Sequence, residues 1–131
     1  VTPDRLAPVA LVGVATAAFD YRTARELGAV EIDHAFTGLA RDAAGFATAR
    51  LTDPSGTGVE MVWDAACPWV QVHTADQPAG PGAPGHRVGL AVEPMTCAPD
   101  AFNASAYDWD AGLVVIEPGE STTASWRIAA L

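Results

Sequence analysis

The chain has 131 residues, about half of them hydrophobic, which is the length and composition of one domain able to bury a sizeable core. A formal net charge of −9, with 7 Lys and Arg against 16 Asp and Glu, argues against nucleic acid, an anionic membrane surface or a heavily phosphorylated substrate, because all three need basic clusters. No apolar run is long enough to span a bilayer and no basic start leads into an apolar leader, so the default expectation is a soluble, cytoplasmic protein with a neutral ligand.

Residues 1–20 form a weakly patterned apolar segment interrupted by Pro3 and Pro8, and the chain begins at Val1 where an initiator Met would stand. Residues 21–28 have helix-compatible composition over only two turns and read as a loop or a short helical turn. Residues 30–36 then alternate, with Val30, Ile32, His34 and Phe36 on one side and Glu31, Asp33 and Ala35 on the other, which is the pattern of a half-buried strand.

Turn residues at 41–45 and 53–58 separate strands expected at 46–52 and 59–64, the second carrying Val59, Met61 and Trp63 on one face as core. Cys67-Pro68 interrupts the pattern before residues 69–74, where Trp69, Gln71 and His73 share a face opposite Val70, Val72 and Thr74. Cys67 and Cys97 read as free thiols rather than a bridge, and neither has metal-ligand spacing. A Gly- and Pro-rich connection covers 75–87, with His86 expected in solvent. An apolar strand ending at Glu93, a loop over 95–110, a continuous apolar strand at 113–116, a tight turn at 117–120 and a last strand at 122–130 follow. The last strand is expected to pair back across the turn as a hairpin. Short strands at this spacing describe an all-β, antiparallel fold.

Two groups of residues suggest chemistry. Glu93 ends an apolar run and is held extended by Pro94. A buried carboxylate is costly unless it is paired or its pKa rises, and a raised pKa suits a general base. The bland alternative is a buried ion pair with Arg87 or Arg127. Trp69 and Gln71 combine an aromatic ring with an amide, which suits a sugar's C–H face and its hydroxyls, although a structural Trp and an exposed Gln fit the same spacing.

The stretch AVEPMTCAPDAFN at 91–103, followed by GLVVIEPGES at 112–121 and SWRI at 125–128, resembles the C-terminal portion of the aldose 1-epimerase, or galactose mutarotase, family. Asp33-His34-Ala35-Phe36 and the run from Trp69 to Thr74 fit the same family in the same order. The resemblance spans residues 1–131 as part of a single domain and implies an antiparallel β-sandwich of the galactose mutarotase kind. It further implies Glu93 as catalytic base, Asp33 and Gln71 as substrate-binding residues, a glucose- or galactose-like monosaccharide as substrate, and no metal or other cofactor.

In that family the N-terminal half supplies two site histidines and an arginine, and it has no counterpart here. His34, His73 and His86 fall on none of the family's acid positions, and His34 reads as a packing residue. The expectation is therefore an enzyme that interconverts α and β anomers, whose general acid lies outside this chain and which is inactive as this portion alone. Such a portion would expose strand edges and apolar surface for the missing half to cover. The alternative is a non-catalytic carbohydrate-binding or sensing domain on the same fold.

Overall fold

The computed structural model describes residues 7–16 and 18–131, so parts of the apolar segment at 1–20, namely residues 1–6 and 17, lie outside the described residues. Among the described residues the strands are β1 (Asp33–Phe36), β2 (Ala47–Thr52), β3 (Gly58–Trp63), β4 (Trp69–His73), β5 (Ala91–Met95) and β6 (Trp126–Ala130). One short 3₁₀ helix, Ala101–Ala106, lies between β5 and β6. The strands form two three-stranded antiparallel sheets ordered β1-β4-β5 and β2-β3-β6. The architecture is all-β and sandwich-like, as the strand spacing predicts.

Local chemistry fixes the tightest hairpin. Between β2 and β3, the Asp53 carboxylate accepts hydrogen bonds from the Ser55 hydroxyl at 2.6 Å and from the backbone N–H groups of Ser55 and Thr57 at 2.8 and 3.1 Å. These donors, the Ser55 hydroxyl foremost, hold the Asp53 carboxyl below the usual carboxylate range. Gly56 supplies the positive φ of 89° that the turn requires.

Period-two alternation sends one side of each sheet into the space between them. Ala47, Trp63, Cys67 and Val70 form the buried centre, with Phe36, Leu39, Ala49, Met61, Val72 and Val92 packed around it. Ala47 lies directly opposite Trp63 in the β2–β3 register, so a small side chain leaves room for the large one. Cys67 is a buried free thiol whose pKa burial pushes up. A second buried cluster, Trp69, Ala98, Ala101 and Ala111, lies on the other side of the β1-β4-β5 sheet, beneath the segment that carries the 3₁₀ helix.

The C-terminal end departs from the expected hairpin. The turn at 117–120 forms, with Glu120 N–H donating to the Glu117 carbonyl at 3.0 Å, but residues 113–116 make no strand and stand 40–73% exposed. The last strand is shorter than expected and pairs with β3 rather than across that turn. The cause is a better-matched partner: β6 sets Trp126 opposite Trp63 and Ile128 opposite Met61. Ser125 and Asp64 lock its start, with N–H groups donating at 2.7 Å to the Asp64 carboxylate and at 3.0 Å to the Ser125 carbonyl. At its other end Leu131 N–H donates to the Gly58 carbonyl at 2.9 Å. Because β6 is an edge strand, Trp126 and Ile128 remain 62% and 58% exposed.

Candidate functional site

β4 is the middle strand of its sheet, and its register assembles the site. Gln71 lies directly opposite Glu93 of β5 on one side and Ala35 of β1 on the other, while Asp33 lies opposite His73. Residues opposite each other in an antiparallel ladder point to the same face. Asp33, Gln71, His73 and Glu93 therefore share the face that looks away from the inter-sheet core. A hydrogen bond from Gln71 Nε2 to Asp33 Oδ1, at 2.6 Å, ties two of them together across the β1–β4 pair. On the reverse face His34 and Phe36 pack against Phe19, with ring centroids at 4.7 and 6.0 Å. Burial there pulls the His34 pKa down, in keeping with its expected packing role.

A polar hub anchors the end of the sheet next to Asp33 and His73. Thr74 is almost wholly buried, and its hydroxyl accepts the Ile32 N–H at 2.9 Å while donating to the Asp76 carboxylate. Arg87 reaches Asp76 at 3.2 Å and donates to the carbonyls of Val30 at 3.1 Å and Gly28 at 3.0 Å. The Thr74 hydroxyl above all, then the Arg87 and His86 charges, hold the Asp76 carboxyl below the usual range. The expected solvation of His86 is not found. Its side chain is only 13% exposed, its Nδ1 accepts the Gln77 N–H at 3.1 Å, and its Nε2 lies 3.8 Å from Asp76. The Gly- and Pro-rich loop is thus closed on itself, with Arg87 N–H donating to the Ala75 carbonyl at 2.9 Å.

Glu93 differs from its expected environment. It is exposed, not buried, because it projects from an edge strand off the outer face of the sheet. The alternative ion pair is absent as well: Arg87 serves Asp76, and Arg127 lies 3.5 Å from Glu60. Pro94 sits within β5, the edge position where a residue without an N–H does least harm.

Trp69 shares the outer face with Gln71, but its ring is 5% exposed and packs within the second cluster, 5.4 Å from Trp109. Its role is structural. Trp109 in turn stacks on Tyr107 at 4.7 Å, and the Tyr107 hydroxyl donates to Asp100 at 2.5 Å. These aromatics, which sequence reasoning did not single out, wall one end of the face that Gln71 and Glu93 occupy.

The residue most underrated by the sequence is His73. Its alternation with Gln71 already placed it on the same face, yet its pairing with Asp33 emerges only from the strand register. The assembled face offers two carboxylates and an amide to hydroxyl groups, and an imidazole able to give or take a proton. It is an open surface: two depressions, one lined by Asp20 and residues 22–25 and one by Phe46, Val62 and residues 125–127, lie elsewhere. Among the described residues no three His, Cys, Asp or Glu side chains could hold a metal ion together, and no helix is long and apolar enough to cross a membrane. No family model, no curated protein and no solved structure matches the chain.

Proposed function

We propose that this chain is the C-terminal portion of an aldose 1-epimerase, acting on a glucose- or galactose-like monosaccharide with Glu93 as base and Asp33 and Gln71 as sugar contacts. The observation that supports this best is the common face. Three residues singled out by separate motifs stand in adjacent strands, Gln71 directly across from Glu93 and hydrogen-bonded to Asp33. A pyranose laid over β4 would meet the acceptor oxygens of Asp33, the amide of Gln71 and the carboxylate of Glu93 together.

The chemistry needs only proton transfer. Glu93 takes the proton of the anomeric hydroxyl as the C1–ring-oxygen bond breaks, and the ring oxygen receives a proton from an acid. Rotation of the C1 aldehyde and the reverse transfers close the ring on the other face. By the resemblance, further histidines and an arginine come from a companion N-terminal half. The exposed apolar residues at 113–116, with Trp126 and Ile128, offer surface for that half to cover.

A second reading, a non-catalytic carbohydrate-binding domain, is favoured by the exposure of Glu93, which stands on an open surface rather than in a water-excluded pocket. One pair of measurements separates the two. Methyl α-glucoside or methyl α-galactoside, which cannot mutarotate, should shift the Gln71 side-chain amide resonances in wild type and in Glu93→Gln, and not in Asp33→Ala. In a full-length protein that joins this portion to its N-terminal half, polarimetry on freshly dissolved α-glucose or α-galactose should show Glu93→Gln slower by about 100-fold or more over the enzyme-dependent rate. Binding with a rate that Glu93→Gln leaves unchanged would leave only the binding domain, and loss of binding by the wild type would refute both.

A further inference from the structure

We propose that Arg87 is a positioning residue for the sugar site: by bridging Gly28, Val30 and Asp76 it holds the entry to β1, so that Asp33 keeps its bond to Gln71 and its remaining lone pairs face a hydroxyl. The inference rests on the reading of Asp33 and Gln71 as sugar contacts. Three observations lead to it. Asp33 is the first residue of β1, and β1 is an edge strand, so its ladder with β4 begins at the sugar contact itself. The end of an edge strand is where a sheet opens most easily. Upstream of it one backbone bond continues the ladder, from the Thr74 N–H to the Ile32 carbonyl at 2.9 Å, and side chains do the rest. The Thr74 hydroxyl accepts the Ile32 N–H at 2.9 Å, and Arg87 donates to the carbonyls of Val30 at 3.1 Å and Gly28 at 3.0 Å.

The second observation is that these holders form one network. The Asp76 carboxylate takes the Thr74 hydroxyl on Oδ2 and Arg87 Nη1 on Oδ1, the latter at 3.2 Å. A guanidinium suits this place because its rigid fork of donors spans three acceptors at once, which the compact ammonium of a lysine does not. The third is strain. Arg87 and Ala75 have φ of 53° and 56°, at the two ends of the Gly- and Pro-rich loop, and the Arg87 N–H closes that loop on the Ala75 carbonyl at 2.9 Å. A left-handed backbone is unfavourable for residues other than glycine and persists where the surrounding bonds over-determine it. The loop is thus the device that carries Arg87 back to the entry of β1.

Arg87 acts on Asp33 through the strand, since its bonds go to Gly28, Val30 and Asp76. The 2.6 Å bond from Gln71 Nε2 to Asp33 Oδ1 needs the two side chains in register across the β1–β4 pair, and the register at that end is what the Arg87 network fixes. Glu93 lies on the other side of β4, paired with Gln71 through the β4–β5 ladder. Loss of the Arg87 side chain should therefore loosen the Asp33 side of the site and leave the Gln71–Glu93 side in place.

The test is Arg87→Gly, which removes the side chain at a backbone conformation that glycine adopts freely. Without ligand, the Gln71 side-chain amide resonances of Arg87→Gly should move towards those of Asp33→Ala. Methyl α-glucoside should bind the variant about 10-fold or more weakly than wild type, the equivalent of one lost charge-assisted hydrogen bond. Gly58→Ala, in the other sheet, serves as the control for a general loss of stability: it should keep both the wild-type Gln71 resonances and the wild-type affinity. Should Arg87→Gly fail to fold, Asp76→Asn keeps the volume, removes the charge that Arg87 holds, and gives the same two readings. If the folded variant retains the wild-type resonances or the wild-type affinity, or if Gly58→Ala weakens binding as much, Arg87 does not position Asp33 and the sugar site stands. If the wild-type chain does not bind methyl α-glucoside, the sugar reading falls and this inference with it.

Discussion

Thr74→Val tests whether the buried hub beside the site holds the sheet together. The threonine is 1% exposed, and its hydroxyl is the acceptor for the Ile32 N–H at 2.9 Å. Valine keeps the volume and the β-branch but removes the oxygen. Ile32 is itself 4% exposed, so its N–H is left buried without an acceptor, at a cost of about 1–3 kcal/mol. The Ile32 carbonyl is spared, because the Thr74 N–H still donates to it at 2.9 Å. A loss of about 2 kcal/mol in a domain of this size lowers Tm by roughly 6–10 °C. Thr74→Ser keeps the hydroxyl and loses one buried methyl, about 1 kcal/mol. Urea unfolding followed by far-UV circular dichroism should therefore rank wild type above Thr74→Ser, and Thr74→Ser above Thr74→Val. Thr74→Val as stable as wild type, or more stable than Thr74→Ser, would refute the reasoning.

Other perturbations read other parts of the molecule. His34 is pulled below the ordinary imidazole value by burial, so just below about pH 6.5 the unfolded chain binds more protons than the folded one. The stabilisation is complete above that pH and falls as pH drops towards the folded value. Melts of wild type and His34→Gln compared between about pH 7 and pH 5.5 should show the variant losing less stability, and equal losses would exclude a buried neutral His34. Gly58→Ala should cost on the order of 3 kcal/mol in chemical denaturation, because a Cβ there would lie 2.1 Å from the Leu51 carbonyl oxygen, a backbone atom that cannot swing away. Trp63→Phe should cost less than about 1.5 kcal/mol, since the buried Trp63 indole N–H has no partner among the described residues and its removal relieves that penalty. A loss of about 3 kcal/mol or more, typical of emptying a core position, would show that the indole is satisfied after all.

By itself the sequence determined which side of each strand is apolar, because that is a period-two property of neighbouring residues and depends on no distant partner. The alternations at 30–36 and 69–74 therefore placed Asp33, Gln71 and His73 correctly on faces, and Asp53, Ser55 and Gly56 specified their turn through bonds confined to five residues. Which strand lies beside which was decided only in three dimensions. The run at 113–116 has the composition of a strand and forms none, since β6 finds a better ladder on β3, where Trp126 meets Trp63 and Ile128 meets Met61 across a long separation in sequence. The same holds for the site. An apolar run ending in Glu93 reads as a buried carboxylate, but burial depends on what lies over the face, and β5 is an edge strand with that side chain turned outwards. His86 shows the converse: a polar residue in a Gly- and Pro-rich loop is drawn out of solvent by Asp76 and Gln77, because loop closure brings their charge and N–H to one ring. Local periodicity is written in the covalent order of the chain, whereas register and covering are settled by competition among distant segments for the same hydrogen bonds and the same apolar surface.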